Sequence, residues 1–180
     1  QLRLGDPFDK ATTMGTMVFE EHLESVLHYI DIGQAEGARL VTGGKRARID
    51  KYPKALAIEP TIFADVESDM MVAREEIFGP VVTFHTWSTE YEMLGTVNLL
   101  DFGLAAGIWT ENLGRAHRTA QAVEAGRVWI NCYNLFPSGS AFGGTKASGF
   151  GREDAFETMY AFTQVKNVIA DISERQRSFY

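Results

Sequence analysis

The chain has 180 residues, of which 45% are hydrophobic and 23% are charged, a composition typical of a soluble globular protein. Its formal net charge of -7 at pH 7 argues against nucleic acid as a main partner, because phosphate groups bind to basic surfaces. The single cysteine, Cys132, excludes an internal disulfide. No apolar run approaches the roughly 20 residues that span a bilayer, so we expect no membrane partner, and the single cysteine fits a cytoplasmic protein.

An amphipathic helix is predicted over residues 17–36, because its apolar side chains recur at helical spacing. The members of this stripe are Phe19, Leu23, Val26, Leu27 and Ile30. A short strand is predicted over residues 39–42. Two further strand-like runs, 56–63 and 81–87, lie on either side of the segment Glu75-Glu76-Ile77-Phe78-Gly79-Pro80.

The order strand, helix, strand, helix, strand from Val81 to Asn131 indicates a βαβαβ arrangement. Thr89 and Glu92 have the spacing of a capping box at the start of the first helix. Asn112 is expected to cap the second helix, with Gly126 at its end. Short apolar strands of this kind predict an α/β fold with an open, mostly parallel sheet flanked by helices.

The segment Ser138 to Gly151 is rich in glycine and serine. Within it, Gly143 and Gly144 allow close backbone approach or a positive φ. The glycine spacing fits neither a Walker A motif nor Gly-x-Gly-x-x-Gly, so phosphate binding is not predicted. A short helix is expected to begin near Glu153, and the β-branched run from Ala161 to Ile172 is predicted to be a strand.

The histidines and acidic residues do not combine into a recognisable metal site. The four histidines are spread along the chain and share no ligand spacing, and no cysteine or carboxylate cluster supports zinc. They are His22, His28, His85 and His117. We therefore expect no metal ion.

Five sequence landmarks occur in an order that resembles the aldehyde dehydrogenase family. They are Gly5-Asp6-Pro7, the segment from Glu75 to Val81, and the runs Gly103 to Thr110, Ala125 to Asn131 and Phe142 to Glu153. The resemblance extends through nearly the whole chain and concerns the C-terminal part of that family's catalytic region. The segment from Asn131 to Phe142 is most similar to members that act on betaine aldehyde, aminoaldehydes or semialdehydes.

The resemblance implies oxidation of an aldehyde to a carboxylic acid with NAD or NADP, through a thioester on a cysteine. The family's nucleophile and general base lie upstream of the matched part, so we expect no catalytic residue in this chain. A first residue Gln1 in place of Met also suggests a piece of a longer protein. Cys132 matches a position that is not the nucleophile. The alternative is a binding or assembly module derived from this family and inactive as a catalyst.

The resemblance assigns cofactor roles to Glu76 and Phe78. Glu76 matches the acidic residue that accepts hydrogen bonds from the hydroxyls of the nicotinamide ribose, and Phe78 matches the aromatic residue beside the nicotinamide ring. A carboxylate can accept hydrogen bonds from two vicinal hydroxyls, which suits this role. The alternative is that Glu76 is a surface carboxylate and Phe78 a core residue. The residues that distinguish NAD from NADP belong to the upstream portion.

Phe136 and Phe142 are the candidates for the substrate pocket. They follow a predicted buried strand, and ligand sites collect at the carboxyl ends of such strands. The resemblance implies that this loop lines the path of the aldehyde with aromatic rings, and an aldehyde needs few polar groups in its pocket. The alternative is that one or both rings only fix the loop to the core.

The predicted terminal strand has a counterpart in the same resemblance. It implies that Ala161 to Ile172 pairs with a neighbouring subunit in a homo-oligomer, because an exposed strand edge favours such pairing. We accordingly divide the chain into residues 1–160, the C-terminal portion of a catalytic domain, and residues 161–180, an oligomerisation strand and tail. An ordinary edge strand within this chain is the alternative.

Overall fold

A computed structural model describes residues 2–172. The chain divides into two compact units, Gln1–Leu100 and Asp101–Tyr180, a boundary that the sequence did not indicate. The first unit contains α1 (Glu20–Ala35), α2 (Met71–Arg74), α3 (Glu90–Asn98), β1 (Arg39–Thr42), β2 (Thr61–Ala64) and β3 (Val81–Thr83). The second contains α4 (Leu113–Ala122), α5 (Thr158–Ala161), β4 (Phe102–Gly103), β5 (Ala105–Ile108), β6 (Arg127–Ile130) and β7 (Thr145–Lys146). The mixed α/β class is as predicted.

Helix α1 packs one face into the core of the first unit. Leu23, Val26 and Ile30 are almost completely buried in a cluster with Phe63, because they recur on one side of the helix. This burial confirms the predicted stripe, although Phe19 at its beginning is 55% exposed. Strand β2 lies between β1, to which it is antiparallel, and β3, to which it is parallel.

The second unit contains a βαβ segment. Strands β5 and β6 pair in parallel, from Ala105 opposite Arg127 to Ile108 opposite Ile130, and α4 connects them. Strands β4 and β7 form a separate antiparallel pair. The strand and helix predictions across this segment are confirmed, and β6 leads directly into the loop that contains Phe136.

Both predicted helix caps are present. The Thr89 hydroxyl accepts a hydrogen bond from the Glu92 amide at 3.1 Å at the start of α3. The Asn112 side-chain oxygen accepts one from the Arg115 amide at 2.9 Å at the start of α4. Gly126, in contrast, is not the cap of α4, because the helix ends at Ala122 and Val123 follows in an extended conformation.

The sheet prediction needs correction. Instead of one open sheet, the described residues contain one three-stranded sheet and two two-stranded sheets. Each strand has two to four residues. The parallel pairs β2–β3 and β5–β6 retain the predicted orientation.

The predicted terminal strand also needs correction within this chain. Its first residue, Ala161, ends α5, and residues 163–172 contain no strand in the part that the structure describes. Phe162, Val165 and Ile172 are at least 86% exposed. Pairing with a neighbouring subunit therefore remains a prediction, and the rest of the proposed tail, residues 173–180, lies outside the described residues.

Within residues 2–172, no helix has both the length and the hydropathy that crossing a membrane requires. Over the same residues, no group of three or more histidine, cysteine, aspartate or glutamate side chains is placed to hold a metal ion.

Replacement of Phe63 by alanine is expected to lower the free energy of unfolding of the first unit by roughly 3–5 kcal/mol, because the fully buried ring leaves a cavity. Urea unfolding measures the change. Phe8→Ala is the matched control, since that ring is 94% exposed, and its effect is expected to stay within about 0.5 kcal/mol. Equal effects of the two substitutions would contradict the assigned core.

Candidate functional site

The candidate cofactor residues lie on the motif loop, which we define as residues 75–80 between α2 and β3. Phe78 has a φ of 57°, a left-handed conformation that is uncommon outside glycine and asparagine. Its ring is 75% exposed. Glu76 is also exposed, and its carboxylate forms no hydrogen bond or ion pair with the residues that the structure describes. The loop therefore presents an acceptor group and a ring to the outside.

One face of α1, formed by His22, Val26 and Tyr29, holds the motif loop in place. These residues are four and three positions apart, so they lie on one side of the helix. His22 Nε2–H donates to the Phe78 carbonyl oxygen at 2.7 Å. The Tyr29 hydroxyl donates to Glu75 Oε2 at 2.7 Å.

Between these two hydrogen bonds, the backbone of the motif loop approaches α1 closely. A Cβ atom added to Gly79 would lie 2.6 Å from a methyl carbon of Val26. This separation is too short for two carbon atoms, so the site favours glycine. The rings of Phe19, His22 and Phe78 follow one another with centroid separations of 5.8 and 6.1 Å. The left-handed Phe78 is thus fixed by hydrogen bonding, backbone packing and ring contact together.

The motif loop also borders a groove. Phe78, Gly79 and Pro80 line it together with residues 14–17, and its volume is about 450 Å³. The neighbouring glutamates differ in their environment, because Glu75 accepts a hydrogen bond from Tyr29 of α1, whereas the exposed Glu76 carboxylate has no partner among the described residues. The prediction that Phe78 is not a core residue is consistent with the exposure of its ring.

In the second unit, Arg127 organises the aromatic loop, which we define as residues 131–142. Arg127 opens β6 and is 8% exposed. Its guanidinium donates to the carbonyl oxygens of Leu135 at 3.0 Å, Ser140 at 2.5 Å and Ala141 at 2.8 Å. It also donates to the Ser140 hydroxyl at 2.7 Å. One side chain thus satisfies several carbonyls of an irregular segment that would otherwise lack partners.

Aromatic rings surround the same guanidinium. The Arg127 Cζ atom lies 5.7, 5.1 and 5.4 Å from the ring centroids of Trp129, Phe136 and Phe142, respectively. Phe136 and Phe142 pack edge to face at 5.1 Å, and Trp129 packs against Phe136 at 5.7 Å. The two predicted substrate residues are therefore brought together. Phe136 keeps 46% of its surface exposed.

Asn131 fixes the start of the aromatic loop. Its side-chain oxygen accepts from the Thr110 amide and its side-chain nitrogen donates to the Thr110 carbonyl, each at 2.9 Å. These bonds extend the pairing of β5 and β6 beyond the ends of both strands. Asn131 has a φ of 54°, which asparagine tolerates better than most residues. The loop thus leaves the sheet at the carboxyl ends of two parallel strands.

The glycine pair after Phe142 serves close packing. Neither Gly143 nor Gly144 has a positive φ, but an added Cβ would lie 2.5 Å from the Gly151 carbonyl oxygen at the former and 2.5 Å from the Ser148 Cβ at the latter. The predicted close backbone approach is confirmed.

Two basic residues, Lys146 within the glycine-rich segment and Arg152 directly after it, have structural partners. Lys146 forms an ion pair with Glu124 at 2.6 Å. Arg152 donates to the carbonyl oxygens of Gly144 at 2.8 Å and Gly151 at 2.6 Å. Cys132 is half-buried.

Sequence reasoning did not identify Arg127, His22 or Tyr29. A signal for Arg127 was present, because a charged residue alternates with Trp129 on one face of an otherwise apolar strand. A signal for the other two was their helical spacing around Val26. The hydrogen-bond partners of Arg127, His22 and Tyr29 are groups elsewhere in the chain, so the spacing of these residues does not reveal their contacts.

Comparison with known proteins identifies relatives of the whole chain. The aldehyde dehydrogenase family model matches residues 1–168. Betaine aldehyde dehydrogenases of Brucella anthropi and Brucella ovis are both 44% identical over 174 residues, which are 97% of this chain and 36% of theirs.

Solved structures give the same result. An NAD⁺ complex of aldehyde dehydrogenase from Bacillus cereus matches with a TM-score of 0.89 and 41% identity, over 96% of this chain and 34% of that one. A betaine aldehyde dehydrogenase variant from Staphylococcus aureus, also in complex with NAD⁺, matches with a TM-score of 0.93 and 33% identity, over 99% of this chain and 36% of that one. The chain spans about a third of the length of these relatives.

Because of the hydrogen bond between Tyr29 and Glu75, we expect the free energy of unfolding to depend on pH in the alkaline range. Donation to the carboxylate raises the pKa of Tyr29 above its usual value of 10.0, with burial and the negative charge adding to the effect. The protonated phenol is the favoured form in the folded state. Its contribution is therefore complete below pH 10 and is lost as pH rises through the higher folded pKa.

Tyr29→Phe is accordingly expected to cost at most about 1 kcal/mol at pH 7, because this bond is largely exposed. The difference from the unsubstituted chain should shrink above pH 10. Urea unfolding at both pH values measures it, with Tyr91→Phe, whose ring is 89% exposed, as the control. A difference that grows at alkaline pH would refute the assigned direction.

Gly126→Ala is expected to destabilise the second unit by roughly 1–3 kcal/mol, because the added Cβ would overlap the Gly143 carbonyl oxygen and displace the glycine pair after Phe142. Gly95→Ala is the comparison. Gly95 lies within α3 with no atom near the added methyl, so a gain of about 0.5–1 kcal/mol is expected. Thermal unfolding of the two variants should move in opposite directions.

Proposed function

Because the chain belongs to the aldehyde dehydrogenase family, we propose that it is the C-terminal part of the catalytic region of an NAD- or NADP-dependent enzyme that oxidises an aldehyde to a carboxylic acid. The observation that carries this proposal is the motif loop, in which α1 fixes the backbone while Glu76 and Phe78 remain exposed. A loop held from one side and free on the other is suited to contacting a ligand.

Glu76 and Phe78 are proposed to contact the cofactor. The exposed Glu76 carboxylate would accept hydrogen bonds from the hydroxyls of the nicotinamide ribose, and the Phe78 ring would pack beside the nicotinamide. The residues fit the group, since the carboxylate has no competing partner among the described residues and the ring is 75% exposed. The NAD⁺ complexes of the Bacillus cereus and Staphylococcus aureus relatives support this proposal.

Phe136 and Phe142 are proposed to line the path of the aldehyde. Their edge-to-face packing and their contact with Arg127 keep the aromatic loop in one shape. The partly exposed Phe136 offers an apolar surface to a substrate. Because this surface is already fixed, binding costs less conformational entropy. The same contacts show how these rings also stabilise the loop.

The bond-making groups are proposed to lie outside this chain. A cysteine thiolate from the remaining portion of the enzyme would add to the aldehyde carbon to give a thiohemiacetal. Loss of hydride from that carbon to the nicotinamide, when bound, would convert the thiohemiacetal to a thioester. Hydrolysis of the thioester would release the acid and regenerate the thiolate. The residues of this chain would bind and orient the reactants. Cys132 is not assigned a role in the reaction.

Assembly is proposed to involve the C-terminal segment. Residues 163–172 carry exposed apolar side chains, including Val165, Ile169 and Ile172, and such a segment favours addition to a neighbouring sheet. We propose a homo-oligomer that works in the cytoplasm. The same exposed segment favours the second candidate function, a module that associates with a relative and does not act in catalysis.

The test is aldehyde-dependent reduction of NAD⁺ by this chain combined with the upstream portion of the enzyme, compared with the chain alone. Activity only in the combination is expected. Activity of the chain alone would contradict the assignment of the nucleophile to the upstream portion. If the two portions associate into a stable complex that oxidises no aldehyde, the assembly-module function is favoured.

Glu76→Gln in the active combination is expected to raise KM for NAD⁺ or lower kcat/KM by roughly tenfold to a hundredfold, because the charged acceptor for the ribose hydroxyls is lost. Steady-state kinetics with saturating aldehyde measure the change. Glu67→Gln is the matched control, since Glu67 is an exposed glutamate of the same unit outside the motif loop. Unchanged cofactor kinetics in Glu76→Gln would remove Glu76 from the site.

A further inference from the structure

The charge of Arg127 has a consequence beyond the shape of the aromatic loop. All its hydrogen-bond acceptors are neutral oxygens, from Leu135, Ser140 and Ala141. Among residues 2–172, no carboxylate forms an ion pair with it. A guanidinium does not lose its proton in proteins. The aromatic loop therefore encloses a permanent positive charge that these contacts solvate but do not neutralise.

This charge lies directly behind the proposed substrate surface. The Cζ atom is 5.1 Å from the Phe136 ring centroid and 5.4 Å from that of Phe142. A ligand atom in van der Waals contact with the far side of either ring would be roughly 9 Å from the charge. At that distance and an effective dielectric constant of about 20, one unit charge changes an affinity by roughly twentyfold.

Aromatic clusters often bind cations, because ring faces are electronegative. Here the cation is supplied from within, since Arg127 contacts the rings of Trp129, Phe136 and Phe142. A cationic ligand on the same rings would be repelled by the Arg127 guanidinium. An uncharged or carboxylate-bearing ligand would not be repelled.

We infer that Arg127 is a specificity-determining residue that selects against aldehydes with a cationic tail and favours uncharged or carboxylate-bearing aldehydes. The inference rests on the proposed function, specifically on the placement of Phe136 and Phe142 beside the substrate. It separates the three substrate types of the sequence resemblance: betaine aldehyde and protonated aminoaldehydes carry a positive charge, whereas semialdehydes carry a carboxylate. On this inference, this chain shares its fold and reaction type with betaine aldehyde dehydrogenases but differs from them in its preferred aldehyde.

The test uses two aldehydes of the same shape. Betaine aldehyde and 3,3-dimethylbutanal differ by the exchange of a quaternary nitrogen for a carbon, so their ratio of kcat/KM measures the effect of charge. The enzyme that contains this chain is assayed with both, and with succinic semialdehyde as the anionic member. We expect kcat/KM for the uncharged aldehyde to exceed that for betaine aldehyde by roughly twentyfold.

Two substitutions separate charge from loop structure. Arg127→Met removes the charge, and the ratio is expected to fall towards one even if overall activity also falls. Arg127→Lys keeps the charge but loses the fork geometry that reaches several carbonyls, so activity falls while the ratio persists. A purely structural role for Arg127 would lower both activities equally and leave the ratio unchanged.

Several outcomes would overturn the inference. The inference fails if the unsubstituted enzyme oxidises betaine aldehyde as efficiently as its uncharged counterpart, and this result is decisive even if Arg127→Met does not fold. An unchanged ratio in a folded Arg127→Met enzyme would overturn it as well. Absence of activity with every aldehyde has a different signature and overturns the proposed function, and this inference with it.

Discussion

The backbone carbonyls of the irregular loops need donors, and this requirement shapes both candidate sites. Helices and strands satisfy their own peptide groups, whereas a loop carbonyl has to find a donor elsewhere, and its burial without one is costly. In the first unit His22 of α1 supplies a donor to Phe78. In the second unit Arg127 of β6 supplies donors to three residues of the aromatic loop. A residue on a regular element thus determines the conformation of the adjacent functional segment.

This arrangement separates residues that hold a loop from residues that we propose contact a ligand. Glu75 is bonded to Tyr29, while Glu76 next to it keeps its carboxylate exposed. The left-handed backbone at Phe78 turns its ring outwards, and the hydrogen bond from α1 maintains a conformation that phenylalanine disfavours. Substitution of a holding residue should therefore affect loop stability first and ligand affinity only as a consequence.

The sequence was informative where structure depends on neighbours in the chain. The caps at Thr89 and Asn112 and the buried face of α1 follow from spacing alone, and the structure has them. Strand pairing depends on distant partners, so the division into three small sheets was not predictable. The end of α4 was misplaced because Gly126 serves close packing against Gly143, a contact that a local end signal does not reveal. Arg127 was missed for a similar reason, since its acceptors lie eight to fourteen residues further along.

In the specificity proposed for this chain, the burial of Arg127 connects loop structure to substrate choice. Transfer of a guanidinium away from water is unfavourable unless hydrogen bonds and ring faces replace its hydration, and the aromatic loop provides both. None of these contacts removes the charge, however, and its field extends through the rings that hold it. Methionine at this position would remove both the hydrogen bonds that hold the loop and the positive charge. Lysine would keep the charge but could not form the full set of hydrogen bonds. The arginine that gives the aromatic loop its shape therefore also sets the electrostatic potential that an aldehyde would meet there.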